Sequence, residues 1–348
     1  MKTYKDLRLY QGTDKWKKWR KESGIGGSEI ASVLATDSRE LAELVYTPPI
    51  KLHLQKIGEP VQEFTGNVPS MEGQFQERGI IERFKWWDLE RPDNLGMHKN
   101  RIAGNVLNKV YNINCVFWNK DYPWLFYSPD ALLMKGRKRQ GILESKLTTS
   151  METRRYVNKL NPAFYFQVQT GLFLTGLEIG YALLLIDGQW FEVIPIEPDK
   201  EVHQWIEYTS AQFWTNVVKA RKIKEEYGIT SYFLADPETF SEKQRDGIQM
   251  LSELEPHLTG NERELDFIRA MIVPQPERNE RRGTEQEKEL CRQYREVTGE
   301  IKELMTRKND VYGRLLLQLN GCNVVTFDQG YYSYLPDKNG KPSLYVKI

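Results

Sequence analysis

Acidic and basic side chains recur around a predicted β-hairpin near the middle of the chain. Asp130 follows Pro129, and after thirteen further residues comes the triplet Glu144, Ser145 and Lys146. Magnesium prefers oxygen ligands, and its protein sites commonly supply one or two carboxylates beside a substrate phosphate. A neighbouring amine could position a water molecule or stabilise charge that develops on phosphorus. The spacing therefore suggests Asp130 and Glu144 as metal ligands and Lys146 as a catalytic amine for phosphate chemistry.

Two strands joined by a turn must position these residues. The stretches 124–127 and 131–134 are apolar or aromatic, whereas Lys135–Gln140 is basic and contains Gly136, which predicts a turn. Because side chains alternate along a strand, Glu144 and Lys146 should share one face and Ser145 the other. A surface hairpin that happens to carry a Glu/Lys pair is the alternative, and from this motif alone both interpretations stay open.

Three further motifs accompany the hairpin, in a fixed order along the chain. They are Gln11-Gly12 with Trp16, Trp19 and Arg20 leading into Gly24–Ile30, then Gly73-x-x-x-Glu77 opening an amphipathic helix, and, after the hairpin, Ala163–Gln169 leading to Leu174-Thr175-Gly176. Together the four motifs resemble the lambda-type exonuclease or YqaJ-like viral recombinase family of the PD-(D/E)XK nuclease superfamily. The resemblance covers roughly residues 8–200. It implies an α/β fold with a PD-(D/E)XK nuclease core, a mixed central sheet flanked by helices.

The resemblance also assigns roles to single residues. Arg20 and Ser28 match the pair that holds a terminal 5′ phosphate, and a guanidinium near a glycine-rich helix start suits that ligand. Glu77 matches a helix glutamate beside the metal, and Gln167 matches the glutamine that completes the active site. Ser145 stands at a position where the family usually has an apolar residue. The resemblance implies that the backbone carbonyl at this position is a metal ligand. We expect the Ser145 side chain to point away from the metal.

Three of these residues have simpler explanations when the resemblance is set aside. Ser28 could serve only as a helix N-cap, because serine is favoured at that position. Glu77 could be a solvated glutamate on the polar face of its helix. Gln167 is unremarkable by itself, so the tertiary structure must decide among these interpretations.

The resemblance implies a magnesium-dependent deoxyribonuclease, with manganese as the alternative ion. Such an enzyme digests the 5′ strand of a double-stranded DNA end and leaves a 3′ overhang for recombination. Its family forms homo-oligomers, commonly trimeric rings, and works with a phage single-strand annealing protein in the bacterial cytoplasm. Two alternatives stay open: a related endonuclease or opposite-polarity nuclease, and a catalytically silent scaffold that binds DNA ends.

Composition agrees with these expectations without deciding between them. The 49 lysines and arginines nearly balance 48 acidic residues, so the net charge of +1 is not that of a strongly basic nucleic-acid binder. Cys115, Cys291 and Cys322 include no Cys-x-x-Cys pair, which argues against a four-cysteine iron–sulfur cluster and favours a reducing compartment. No apolar run approaches the ~20 residues of a membrane span, so we expect no membrane association.

The pattern divides the chain into three predicted parts. Residues 1–235 form the nuclease domain, which includes strands at 181–186 and 190–196 and a helix from Asp199 to about Lys224. Residues 236–283 form a connector of short helices, and residues 284–348 form a long helix with a small β cap. The long helix carries apolar residues at alternating steps of four and three, which predicts pairing with another helix. This seam consists of Leu290, Tyr294, Val297, Ile301, Leu304, Lys308, Val311 and Leu315.

Overall fold

The computed structural model describes residues 4–7, 13–61, 68–85, 109–112, 115–135, 137–156, 160–233, 235, 237–272, 284–319, 322–336 and 342–347. The Gln11-Gly12 motif and Gly136 of the hairpin turn lie outside the described residues. The chain forms two compact units, Met1–Val273 and Pro274–Ile348. None of the described helices is long and apolar enough to cross a bilayer.

Two mixed sheets form the framework of the first unit, in line with the predicted α/β class. One sheet has the strand order β3-β6-β7-β8-β9 and the other has the order β1-β4-β5-β2. Among the strands of the described residues, only the β7–β8 and β2–β5 pairs are parallel. The strands are β1 Tyr4–Leu7, β2 Ile25–Gly26, β3 Lys109–Asn112, β4 Val116–Asn119, β5 Leu125–Tyr127, β6 Ala131–Lys135, β7 Lys138–Thr148, β8 Ile179–Ile186 and β9 Trp190–Ile196.

The predicted hairpin is confirmed as the antiparallel pair β6–β7, whose ladder begins where Ala131 pairs with Leu143. The leading stretch 124–127 was wrongly included in it, because Leu125–Tyr127 forms β5 of the other sheet. The strands predicted after the glutamine motif are confirmed as β8 and β9. Asp187 and Gly188 join these two strands with φ values of 49° and 71°. Two successive left-handed residues match the twist of the flanking strands in a tight hairpin.

Helices cover both sheets of this unit. They are α1 Asp14–Ser23, α2 Ile30–Leu34, α3 Arg39–Ala42, α4 Pro49–Lys56, α5 Val68–Phe84, α6 Ser150–Thr153, α7 Pro162–Thr175, α8 Lys200–Tyr227, α9 Glu242–Ser252 and α10 Glu262–Met271. The start of α7 is specified locally, because the Asn161 side chain accepts from the Ala163 amide and Pro162 occupies the first turn. Asp199 caps α8 in the same way, and α8 confirms the predicted helix.

The prediction that Gly73 opens its helix was wrong, because α5 already begins at Val68. A glycine inside a helix costs only about 1 kcal/mol relative to alanine. The packing of Ile80, Ile81 and Phe84 against the five-stranded sheet outweighs that cost, since all three are buried.

The middle of β7 and most of β8 are buried on both faces, which explains the nearly continuous apolar sequence of β8. On one face Leu143 and Leu183 pack with the α5 residues. On the other face Ile142 and Leu184 join the larger core, which includes Val168 of α7. The Glu144-Ser145-Lys146 triplet of β7 therefore begins directly after two core residues, between two helix layers.

The second unit consists of a long helix and a small sheet, as predicted. Helix α11 spans Glu285–Gln318 and begins with a capping box between Thr284 and Glu287. Three antiparallel strands follow, in the order β10-β11-β12. They span Val324–Phe327, Gly330–Pro336 and Pro342–Lys347, whereas the predicted Asn339-Gly340 turn lies outside the described residues.

Candidate active site

Asp130 lies directly against the triplet of β7. Its Oδ2 atom accepts hydrogen bonds from the Ser145 amide at 2.7 Å and from the Ser145 hydroxyl at 2.8 Å. The prediction that the Ser145 side chain points away from this site was wrong. Because the β6–β7 ladder begins only at Ala131, Asp130 is not held by the strand pleat and its carboxylate reaches Ser145. Burial raises the pKa of Asp130, while both Ser145 bonds and the Lys146 charge oppose that rise.

Glu144 is the buried acid of the site, with only 2% of its surface exposed. The Tyr127 hydroxyl donates to its Oε1 at 2.5 Å, and Gln167 Nε2 donates to its Oε2 at 2.8 Å. Burial raises the pKa of Glu144 well above its usual value, and the nearby charge of Asp130 adds to that effect. Gln167, which the resemblance implied as a residue of the active site, thus contacts Glu144.

Tyr127 was not predicted as a site residue. Its ring lies between two glycines, since a Cβ atom on Gly27 would approach it to 2.7 Å and one on Gly171 to 2.4 Å. The buried ring therefore holds the hydroxyl at a fixed place beneath Glu144. Two signals in the sequence pointed to it, namely an aromatic residue ending the strand before Ser-Pro-Asp and the paired glycines at 26–27.

Replacing Tyr127 by phenylalanine should weaken divalent-metal binding by roughly tenfold, because groups that orient metal ligands contribute about this much to affinity. The ring would still fill its place between the glycines, so the far-ultraviolet circular dichroism spectrum should stay unchanged. Calorimetric titration with Mn²⁺ measures the change. The Tyr122→Phe variant, which alters a tyrosine of the same unit outside the site, is the control, and equal affinities in the two variants would contradict the assigned role.

Glu77 approaches Asp130 from the helix layer. It lies three and four residues before Ile80 and Ile81, so the helical repeat directs it toward the same sheet. Burial and the Asp130 charge raise the pKa of Glu77 to about 7. The side chain is half-buried, which disagrees with the solvated-glutamate alternative.

Metal-free protein should lose stability as the pH rises toward about 7. The pKa of Glu77 rises from 4.5 in the unfolded reference to about 7 in the fold, so the folded protein retains a proton over that interval. The stabilisation from this retained proton is complete below pH 4.5 and is lost as the pH rises through about 7. Glu77→Gln should therefore reduce the loss of unfolding free energy between pH 5 and pH 7.5. Urea titrations in a chelator test this, and identical losses in both proteins would contradict it.

Lys146 projects from the exposed end of the triplet. Its Nζ atom lies 5.9 Å from the centre of the Phe164 ring, and its charge partly offsets the raised pKa of Asp130 and of Glu144. No hydrogen bond between Lys146 and another described residue fixes the amine. It is therefore placed to interact with a ligand rather than to hold the fold.

Arg20 and Ser28 contact each other, as the resemblance implied. Arg20 Nη2 donates to Ser28 Oγ at 2.5 Å. The structure disagrees with the alternative that Ser28 is only a helix N-cap, because Glu29 occupies that position of α2. A guanidinium and a hydroxyl at one place provide donors that suit a phosphate.

Glu29 and Lys56 hold this pair and were not predicted. Glu29 accepts from Arg20 Nε at 3.2 Å and from Lys56 Nζ at 2.8 Å, while Lys56 also donates to the Arg20 carbonyl at 3.0 Å. Burial alone would raise the pKa of Glu29, but the charges of Arg20 and Lys56 and the Gly26 amide lower it overall. The carboxylate thus stays charged and orients the guanidinium.

One pocket is lined by Ser28, the partner of Arg20, and by Lys146 and Gln167, which lie next to the acids. It has a volume of about 180 Å³, and its lining includes Ser28, Lys146 and Gln167 together with Tyr46 and Phe164. The juxtaposition arises because β2 runs parallel to β5, so the segment before Ser28 lies beside the strand that ends at Tyr127. The structure thus brings together residues that are more than one hundred positions apart.

The donor groups of this site fit a divalent cation. Burial raises the pKa of both Asp130 and Glu144, and the charge of Asp130 raises that of Glu144 further, so a nearby cation would favour their ionised forms. Within the described part of the chain, no group of three or more His, Cys, Asp and Glu side chains is arranged to hold a metal. Two carboxylates with a backbone carbonyl nevertheless match the usual protein contribution to a magnesium site.

Comparisons with known proteins agree with the motif pattern. The solved structures similar to this chain include an alkaline exonuclease (LHK-Exo) from Laribacter hongkongensis, which is 17% identical with a TM-score of 0.45, over 62% of this chain and 98% of that chain. The complex of LHK-Exo with dAMP is 18% identical, with the same coverage and TM-score. SSO0001 is 12% identical over 63% of this chain and 89% of that chain, with a TM-score of 0.27. No curated protein matches this chain. Residues 15–178 match the family described as the YqaJ-like viral recombinase domain, which supports a nuclease or recombinase role. The resemblance seen in the four motifs is thus confirmed as a match of residues 15–178 to this family.

Proposed function

We propose that this protein is a metal-dependent deoxyribonuclease that digests the 5′ strand of linear double-stranded DNA and leaves a 3′ overhang. The observation that carries the proposal is a pocket that both Lys146 and Ser28 line. Gln167 lines it as well and donates to Glu144, so the pocket lies next to the acids and the lysine that suit phosphodiester hydrolysis. Ser28 accepts from Arg20, and the two form a pair of donors that suits a terminal phosphate.

Asp130, Glu144 and the Ser145 carbonyl would hold Mg²⁺, with Mn²⁺ as the alternative ion. When bound, such a cation supplies Lewis acidity and lowers the pKa of coordinated water. Tyr127 and Gln167 keep the Glu144 carboxylate in place through their hydrogen bonds.

Two residues would act on the reacting groups themselves. Glu77, whose pKa is about 7, can accept a proton near neutral pH. The Lys146 ammonium would stabilise negative charge on the phosphoryl oxygens as water attacks and the 3′ oxygen departs.

The proposed polarity rests on a 5′ phosphate binding at Arg20 and Ser28. The first nucleotide would then extend from Ser28 toward Lys146, since both residues line one pocket. Tyr46 and Phe164 also line this pocket and offer aromatic surface to the nucleoside. The next phosphodiester would then lie beside the acids, and its hydrolysis would release one nucleotide from the 5′ end.

A time course on linear duplex DNA labelled at either end tests the proposal. With Mg²⁺ we expect the 5′ label to be released first as a mononucleotide, and we expect EDTA to prevent release. A matched duplex with 5′ hydroxyl ends should be digested more slowly, and Arg20→Ala should remove that difference. Cleavage of a covalently closed circle would instead indicate an endonuclease, early loss of the 3′ label the opposite polarity, and binding without cleavage a scaffold.

A further inference from the structure

Helix α11 presents a continuous apolar surface to solvent. Every residue of this helix is at least partly exposed. Of the seam residues, Tyr294 is 75% exposed, Ile301 56% and Leu304 63%. Contiguous exposed apolar surface marks interaction sites, and a helix that packs against nothing gains little stability from propensity alone. A helix of 34 residues, about 51 Å long, therefore requires a partner along this seam.

The seam has the spacing of a coiled coil. Tyr294, Ile301 and Lys308 take the a positions of successive heptads, with Leu315 after them. Leu290, Val297, Leu304 and Val311 take the d positions. The seam is apolar except at Lys308, so the direction of the partner depends on what faces that lysine.

A parallel second copy fits this pattern poorly. Each a residue would face its own counterpart, and Lys308 would meet Lys308 of the other copy inside the seam. The flanking g and e positions would place Glu300 beside Met305, so no ion pair would form there. Like charges that face each other in this way cost stability.

An antiparallel second copy fits well. Ile301 would then pack on Leu304 of the other copy, and Lys308 would lie beside Val297, where its stem can cover apolar surface while its amine reaches water. In the same register, the flanking position Glu300 faces Arg307 of the other copy. Two-fold symmetry repeats this ion pair on both sides of the centre.

We propose that α11 binds a second copy of this chain as an antiparallel coiled coil centred between Ile301 and Leu304. The exposed seam supplies the apolar contacts, and the Glu300–Arg307 pairs select the antiparallel direction. The proposal does not depend on the nuclease function, because it concerns the second unit alone.

Disulfide trapping in the full-length chain tests the direction. Both proteins carry the background substitutions Cys291→Ser and Cys322→Ser. One of them also carries Tyr294→Cys with a first affinity tag, and the other carries Val311→Cys with a second tag. Residues 294 and 311 of one helix lie about 25 Å apart, so they cannot bond within a chain. An antiparallel pair brings 294 of one copy to 311 of the other, and oxidation of the mixture should give mainly mixed-tag dimers. The background protein without added cysteines is the control.

The charge pairs provide a second readout. Glu300→Arg and Arg307→Glu alone should each lower the yield of mixed dimer by roughly tenfold at limiting concentration, since each creates two like-charge contacts. The double variant restores both pairs and should recover most of the yield. Cross-linked dimers of two copies that carry the same tag would indicate a parallel pair and would overturn the proposal. Absence of cross-linking in the folded protein, or equal yields in all charge variants, would overturn it as well.

Discussion

Replacing Lys146 by alanine should lower the turnover of linear duplex DNA by a factor on the order of 10³, within the range typical of a lost catalytic group. The amine would no longer offset the charge that develops on the phosphoryl group. Affinity for DNA should change by only a few-fold, because Arg20 and Ser28 remain. Folding should be unaffected, since Lys146 is exposed and its one described contact is with the face of Phe164.

Single-turnover cleavage and fluorescence anisotropy in Ca²⁺ separate these two effects. Lys138→Ala provides a matched control, because Lys138 is an exposed lysine at the opposite end of the same strand. Cleavage by Lys146→Ala at the wild-type rate would rule out the catalytic role and favour a scaffold that binds DNA ends without cutting them.

Replacing Asp130 by asparagine should weaken divalent-metal binding by more than about 100-fold and reduce cleavage correspondingly. The asparagine carbonyl can still accept the Ser145 amide, so the local geometry should survive while the negative charge is lost. The loss of charge also removes repulsion from Glu77 and Glu144, which both lie in the field of Asp130. The variant should therefore be at least as stable as the wild type in the absence of metal.

Calorimetric titration with Mn²⁺ and thermal unfolding in EDTA measure these opposite effects. Asp246→Asn, which changes an exposed aspartate on α9, serves as the control for the substitution itself. A variant that retains metal affinity would show that the cation, if required, binds elsewhere. A variant that unfolds at a lower temperature in EDTA would show that Asp130 stabilises the metal-free fold, contrary to this prediction.

Several parts of the fold were predictable from local pattern. The hairpin β6–β7, the strands β8 and β9 and the helix α8 follow from apolar periodicity and turn residues, which act over a few positions. The approach of Asp130 to the triplet was also predictable, because Asp130 directly precedes β6 and the triplet continues β7 just beyond its ladder with β6. Such contacts depend on register within a short segment, and the sequence specifies that register.

The sequence by itself thus determined the residue types of the candidate site, the order of its motifs and the resemblance that the family match over residues 15–178 bears out. Only the tertiary structure decided how the side chains are held. Tyr127 meets Glu144 because Gly27 and Gly171 leave room for its ring, and Ser28 reaches the pocket because a two-residue strand pairs in parallel with β5. So short a strand carries no periodic signal, and the packing of a ring between distant glycines depends on sheet order. Contacts of this kind are non-local, so local pattern could mark Tyr127 and the paired glycines without revealing that they pack together.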